Sequence, residues 1–194
     1  NMQNTSDIKT DVSGNLWVVV NYRLFIGQPN KKIFKTIPVH DIVYEDKIPN
    51  VLKNVLWDEE DKKYYAGFDL SDGVFVYDQH MNFLQTLVAP GVHTPYGTME
   101  PGMVEIAIDK QKRIWIAGPN FCVYNSKNKK LEPADKLYPQ LKSLQAWNSS
   151  IVSDADSMLY MQFWKNYIFR INTYTMKYDA IILPVIMDSL GIYN

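Results

Sequence analysis

The chain has 194 residues, with 20 Lys and Arg against 21 Asp and Glu, a formal net charge of −1. Its 46% hydrophobic and 13% aromatic content is ample for a packed core, which excludes intrinsic disorder, and the even charge gives no case for nucleic acid. One cysteine, Cys122, excludes an internal disulfide framework and a multi-cysteine zinc site.

In chain order, the stretch from Ile8 through Asp11 to Trp17 sets a frame: an aspartate, an aliphatic residue three before it, an aromatic six after. The frame returns as Val55, Asp58, Tyr64, then as Ile106, Asp109, Trp115, and again as Ile151, Asp154, Tyr160. The aspartates are 47, 51 and 45 residues apart. An Asp with an aromatic at that distance also arises by chance, as Asp69 with Phe75 does, so the regular period and a second shared element carry the case. That element is a short apolar run ending in a polar residue: Leu24 to Gln28, Val74 to Asp78, Phe121 to Asn125, Ile168 to Asn172. A polar turn and another apolar segment follow: Ile33 to Val39, Phe83 to Val88, a weak Leu131, and Met176 to Leu183.

Each unit predicts four short antiparallel strands, the first ending at the anchor Asp in a tight Asp-x-x-Gly-like turn. Val, Ile, Tyr, Phe and Trp dominate the strands, and no window keeps a helical period; Leu137 to Trp147 predicts at most one or two helical turns. Units of this length match β-propeller blades, which run about 40–50 residues and must stack to bury both faces. The expected fold is therefore all-β: four blades, near 5–39, 51–88, 103–132 and 147–183, forming a single segment of a larger propeller over residues 1–194. No apolar run approaches the roughly 18 residues of a membrane-spanning helix, so no membrane insertion is expected within the segment.

Asp11-Val-Ser-Gly14-Asn-Leu-Trp17 resembles the D-x-x-G-x-hydrophobic-W signature of two-component regulator propeller repeats. Asp109 to Gly118 matches it without the turn glycine. The other two copies put Tyr at the Trp position, and the family's continuation, a Thr and then a Gly-Leu pair, is poorly kept. Such repeats build the extracytoplasmic sensor halves of bacterial hybrid histidine kinases, where two sevenfold propellers and a β-domain precede a membrane span and the kinase. The resemblance implies a non-catalytic, periplasmic sensor module, with an oligosaccharide or other small ligand and no cofactor. A propeller enzyme with an axial metal, of the lyase or lactonase kind, and a protein-interaction propeller are the alternatives.

Strand alternation puts the connections from strand two to three, and from strand four to the next blade, on one face. The latter are long there (His40 to Asn50, Ala89 to Gly102, Pro133 to Ala146), and long loops in compact domains often carry function. The ligand-binding candidates on that face are Tyr22, Tyr44, Phe68, Asp69, His93, Tyr96, Asn120, Trp147, Trp164 and Lys165. Trp17, Tyr64, Trp115 and Tyr160 read as packing between blades, and the anchor aspartates as turn caps. His40, His80 and His93 are scattered without metal-ligand spacing, so no metal site is expected from them. Asp58 to Lys63 reads as a solvated charged turn, open to calcium. Glu105 lies on a first strand and faces either the axis or solvent; Cys122, mid-strand, reads as an inert buried thiol. Flanks left uncovered at the first and last blades predict self-association, or other contacts that cover them.

Overall fold

The structure, a computed structural model, describes residues 5–20, 23–28, 33–37, 52–68, 73–88, 105–117, 121–144, 150–154, 157–162 and 167–182. Among the described residues, sixteen strands make four antiparallel sheets, each a simple meander of four strands in chain order. The first contains β1 (Thr5–Thr10), β2 (Leu16–Val20), β3 (Arg23–Gln28) and β4 (Ile33–Ile37). The second contains β5 (Leu52–Asp58), β6 (Lys63–Phe68), β7 (Gly73–Asp78) and β8 (Phe83–Val88). In the third are β9 (Glu105–Ile108), β10 (Arg113–Ala117), β11 (Cys122–Asn125) and β12 (Lys130–Pro133). The fourth is β13 (Ser150–Ser153), β14 (Met158–Gln162), β15 (Tyr167–Asn172) and β16 (Tyr178–Ile182). The repeat is thus realised as four propeller blades. After β12 come one helical turn, α1 (Ala134–Leu137), and a 3-10 turn, Pro139–Leu141. Helix begins three residues earlier than the sequence suggests, because β12 ends at Pro133 and proline is tolerated at a helix start.

Period-two alternation sends neighbouring residues of each strand to opposite faces, and the inner sheets are apolar on both. On β6, Tyr64, Ala66 and Phe68 meet Trp17, Leu24 and Ile26 of the first sheet. Tyr65 points the other way and joins Val74 and Val76 against Ile106, Ile114, Ile116 and Tyr124 of the third. On β10, Ile114 and Ile116 belong to that core, while Trp115 and Ala117 turn toward Ile151, Leu159, Met161 and Ile171 of the fourth. The strand β10 is buried from Ile114 to Ala117 for this reason. Three cores therefore alternate with four sheets, and every stacked pair holds a buried aromatic. Burying one such large side chain is worth about 1.5–3 kcal/mol relative to exposure. First strands meet one another around the same edge, β1 with β5, β5 with β9, and β9 with β13.

Candidate functional site

The anchor aspartates explain the recurring spacing. Asp11 Oδ1 accepts the backbone N–H of Ser13 at 2.9 Å and of Asn15 at 3.0 Å. Its Oδ2 accepts Trp17 Nε1–H at 2.9 Å. Asp109 repeats this with the N–H groups of Gln111 and Arg113, and Trp115 Nε1–H reaches its Oδ2 at 2.8 Å. In the fourth sheet Asp154 Oδ1 accepts Met158 N–H and Oδ2 accepts the Tyr160 hydroxyl at 3.1 Å. The aspartate caps the turn with one oxygen and fastens the aromatic of the next strand with the other. The two residues sit diagonally across the ladder on one sheet face, within reach of a long side chain. Capping was legible in the sequence; the bond joining cap to aromatic was not, although the constant six-residue spacing is its signature.

The second sheet departs from this frame and corrects the sequence alignment. Trp17, Trp115 and Tyr160 stand opposite the residue two before their aspartate: Lys9, Ala107 and Val152. In the second sheet Leu56 holds that place, and its partner is Tyr65, whereas Tyr64 stands opposite Trp57. The β5–β6 turn is one residue longer. Its left-handed residue is Lys62, four after Asp58, while Gly14, Lys112 and Ser157 come three after theirs. A shift of one residue exchanges sheet faces. Tyr64 accordingly faces back to the first sheet, 5.3 Å from Trp17 between ring centroids, and Tyr65 takes the frame position. The charged turn is only partly solvated: Glu59 and Glu60 are exposed, but Asp58 is buried.

Polar straps join the first strands. Asn54 exchanges hydrogen bonds with the backbone of Ile106, whose N–H reaches Asn54 Oδ1 at 3.2 Å. Glu105, at the matching place one sheet on, accepts Ile151 N–H at 3.1 Å and the Ser150 hydroxyl at 3.3 Å. It therefore takes neither of the two expected orientations: its carboxylate crosses to the next sheet. Arg113 fastens the opposite end, ion-paired to Asp109 at 2.7 Å, bonded to the Tyr138 hydroxyl and the Thr173 carbonyl, and lying against the faces of Trp115 and Tyr138.

Of the candidate ligand-binding residues, Tyr22, Tyr44, Asp69, His93, Tyr96, Asn120, Trp147, Trp164 and Lys165 lie outside the described residues. Phe68 is described and does not stand on the loop face. It ends β6 fully buried, its ring 5.1 Å from that of Phe75, because alternation from Tyr64 turns it into the core between the first two sheets. Cys122 is buried in the next core, and burial, with a smaller contribution from the Asp135 charge, pushes its thiol up to about 12. Such a thiol carries no thiolate near neutral pH and is a poor nucleophile. His80 is exposed in the β7–β8 turn, while His40 and His93 lie outside the described residues. Among the described residues no three His, Cys, Asp or Glu side chains gather as a metal would need, and no helix is long and apolar enough to cross a membrane.

No family model and no curated protein matches the chain. Solved structures do. The extracellular domain of the hybrid two-component system BT4673 from B. thetaiotaomicron superposes over 93% of this chain with a TM-score of 0.63 at 14% identity. That of the hybrid two-component system BT3049 from the same organism covers 94%, with a TM-score of 0.59 at 16% identity. The WD40 repeats of RRP9 cover 94% with a TM-score of 0.62 at 8% identity. The chain spans only 24% and 25% of the two extracellular domains and 52% of the RRP9 chain. At these identities the likeness defines the fold: propeller blades of the kind found in extracellular regions of two-component systems and in WD40 proteins.

Proposed function

We propose that this chain is part of the extracytoplasmic, ligand-recognising propeller of a hybrid two-component sensor, and that it does no chemistry itself. The observation that carries the reading is the coincidence of two independent likenesses. The Asp11-to-Trp17 motif, kept loosely in the other three units, resembles that of sensor propellers, and the four sheets superpose on extracellular domains of two such systems. Fold alone does not set function, since propellers host binding and catalysis alike. A non-catalytic role is supported by how the described reactive groups are used. The anchor carboxylates are committed to turns, Glu105 to a strap and Cys122 to a core.

In this reading the ligand is an oligosaccharide, held on the face from which the two-to-three and four-to-one connections leave. Sugar rings stack on aromatic side chains, and the sequence of the connections that this reading assigns to that face contains Tyr22, Tyr44, Tyr96, Trp147 and Trp164, with Asp69, His93, Asn120 and Lys165 as candidate hydrogen-bonding partners. A signal requires that the ligand favour one arrangement of a sensor dimer over another. Self-association, or further blades, would cover the outer faces of the first and fourth sheets, where Ile8, Val152 and Ile181 are exposed. The test is a glycan-binding screen on the full-length product, repeated with Trp147→Ala and Trp164→Ala. The reading expects saturable binding to a defined glycan, lost at least tenfold in one variant. No glycan bound, with a stoichiometric transition metal found on elemental analysis, would instead favour a propeller enzyme.

A further inference from the structure

In the first, third and fourth sheets the Oδ2 atom of the anchor aspartate accepts directly from the aromatic at the frame position. In the second sheet that place is held by Asp58 and Tyr65. Asp58 Oδ1 still caps the turn, accepting the N–H of Glu60 at 3.0 Å and of Asp61 at 3.4 Å. Asp58 Oδ2 and the Tyr65 hydroxyl are both buried, and neither has a hydrogen-bond partner among the described residues. The two unsatisfied atoms are the two that form the bond elsewhere. Phenol is not the obstacle, because Tyr160 reaches Asp154 at 3.1 Å. What differs is the turn: Asp58 remains in the ladder opposite Lys63, five residues on, and the longer connection sets its carboxylate differently toward β6.

An orphaned buried carboxylate oxygen and hydroxyl cost more than a pair joined through solvent, and buried waters are found where such groups converge. We propose that Asp58 and Tyr65 hold one buried water molecule, bridging Asp58 Oδ2 and the Tyr65 hydroxyl at the junction of the second and third sheets. Water suits the place chemically, because both unsatisfied atoms are buried and polar, one an acceptor and one able to donate. The hydroxyl stays protonated as a donor, since burial, followed by the neighbouring Tyr124, Asp58 and Asp61, raises its pKa. Water then donates to the carboxylate and accepts from the phenol, which satisfies both.

The test is a crystal structure of the protein at about 1.8 Å or better, with two variants. The proposal expects one ordered water within hydrogen-bonding distance of both atoms. Removing Glu60 restores the frame Asp58-x5-Tyr65 and is expected to expel the water in favour of a direct bond like that of Asp154 with Tyr160. Tyr65→Phe removes one arm of the bridge and is expected to lower the thermal midpoint by about 2–6 °C. A dry site, a direct contact in the unaltered protein, or a Tyr65→Phe variant as stable as the parent would each overturn it.

Discussion

The β9–β10 and β5–β6 turns begin with the same residue and end differently. Asp109 holds the N–H groups of Gln111 and Arg113, the Arg113 guanidinium and the Trp115 indole. Asp58, as buried, holds two turn N–H groups and leaves Oδ2 without a partner among the described residues. One extra residue in the turn makes the difference. The contrast teaches that ladder position alone is not enough: Tyr65 lies diagonal to Asp58 as Trp115 does to Asp109, yet the aromatic is fastened only where the turn between them keeps its shorter length.

The largest expected effect is at the fastened aromatic. Trp115→Ala empties the core between the third and fourth sheets and is expected to cost about 3–5 kcal/mol in urea denaturation. Asp109→Ala strands Arg113 and the indole of Trp115, with an expected loss of about 3 kcal/mol, against about 1 kcal/mol for Asp58→Ala. Equal losses at the two aspartates would break the comparison. The second sheet, looser at this turn, is tight at its outer pair of strands. A Cβ on Gly73 would lie 2.9 Å from the Leu87 carbonyl carbon and closer still to its oxygen. Gly73→Ala is therefore expected to cost about 1–3 kcal/mol, read in the same denaturation assay. The smallest effect has the opposite sign. Lys112 occupies Gly14's place in the third turn at φ 63°, so Lys112→Gly is expected to stabilise by about 0.5–1 kcal/mol, a rise in thermal midpoint of a few degrees.

Most of the fold was legible because strand burial imposes a period, and four copies of one pattern reinforce each other. Trp17 and Trp115 read correctly as packing between blades, and Cys122 as an inert buried thiol. Tyr64 was misaligned, since a count from Asp58 cannot reveal a residue inserted in a polar turn. Phe68 read as a loop-face ligand contact because it ends an apolar run, where one residue of register decides between core and solvent. Glu105 was ambiguous for a different reason: its partners, Ser150 and Ile151, belong to the next sheet, and nothing local in sequence announces a contact between sheets. Asn54 shares that role, and its signal was the common offset of four residues before the anchor aspartate.

The central claim, that these blades belong to a sensor's input region, is tested most directly by sequencing the coding DNA on either side of the segment. The account expects further Asp-x5-aromatic repeats, then a membrane-spanning helix and a histidine kinase. Start and stop codons immediately flanking Asn1 and Asn194 would contradict it.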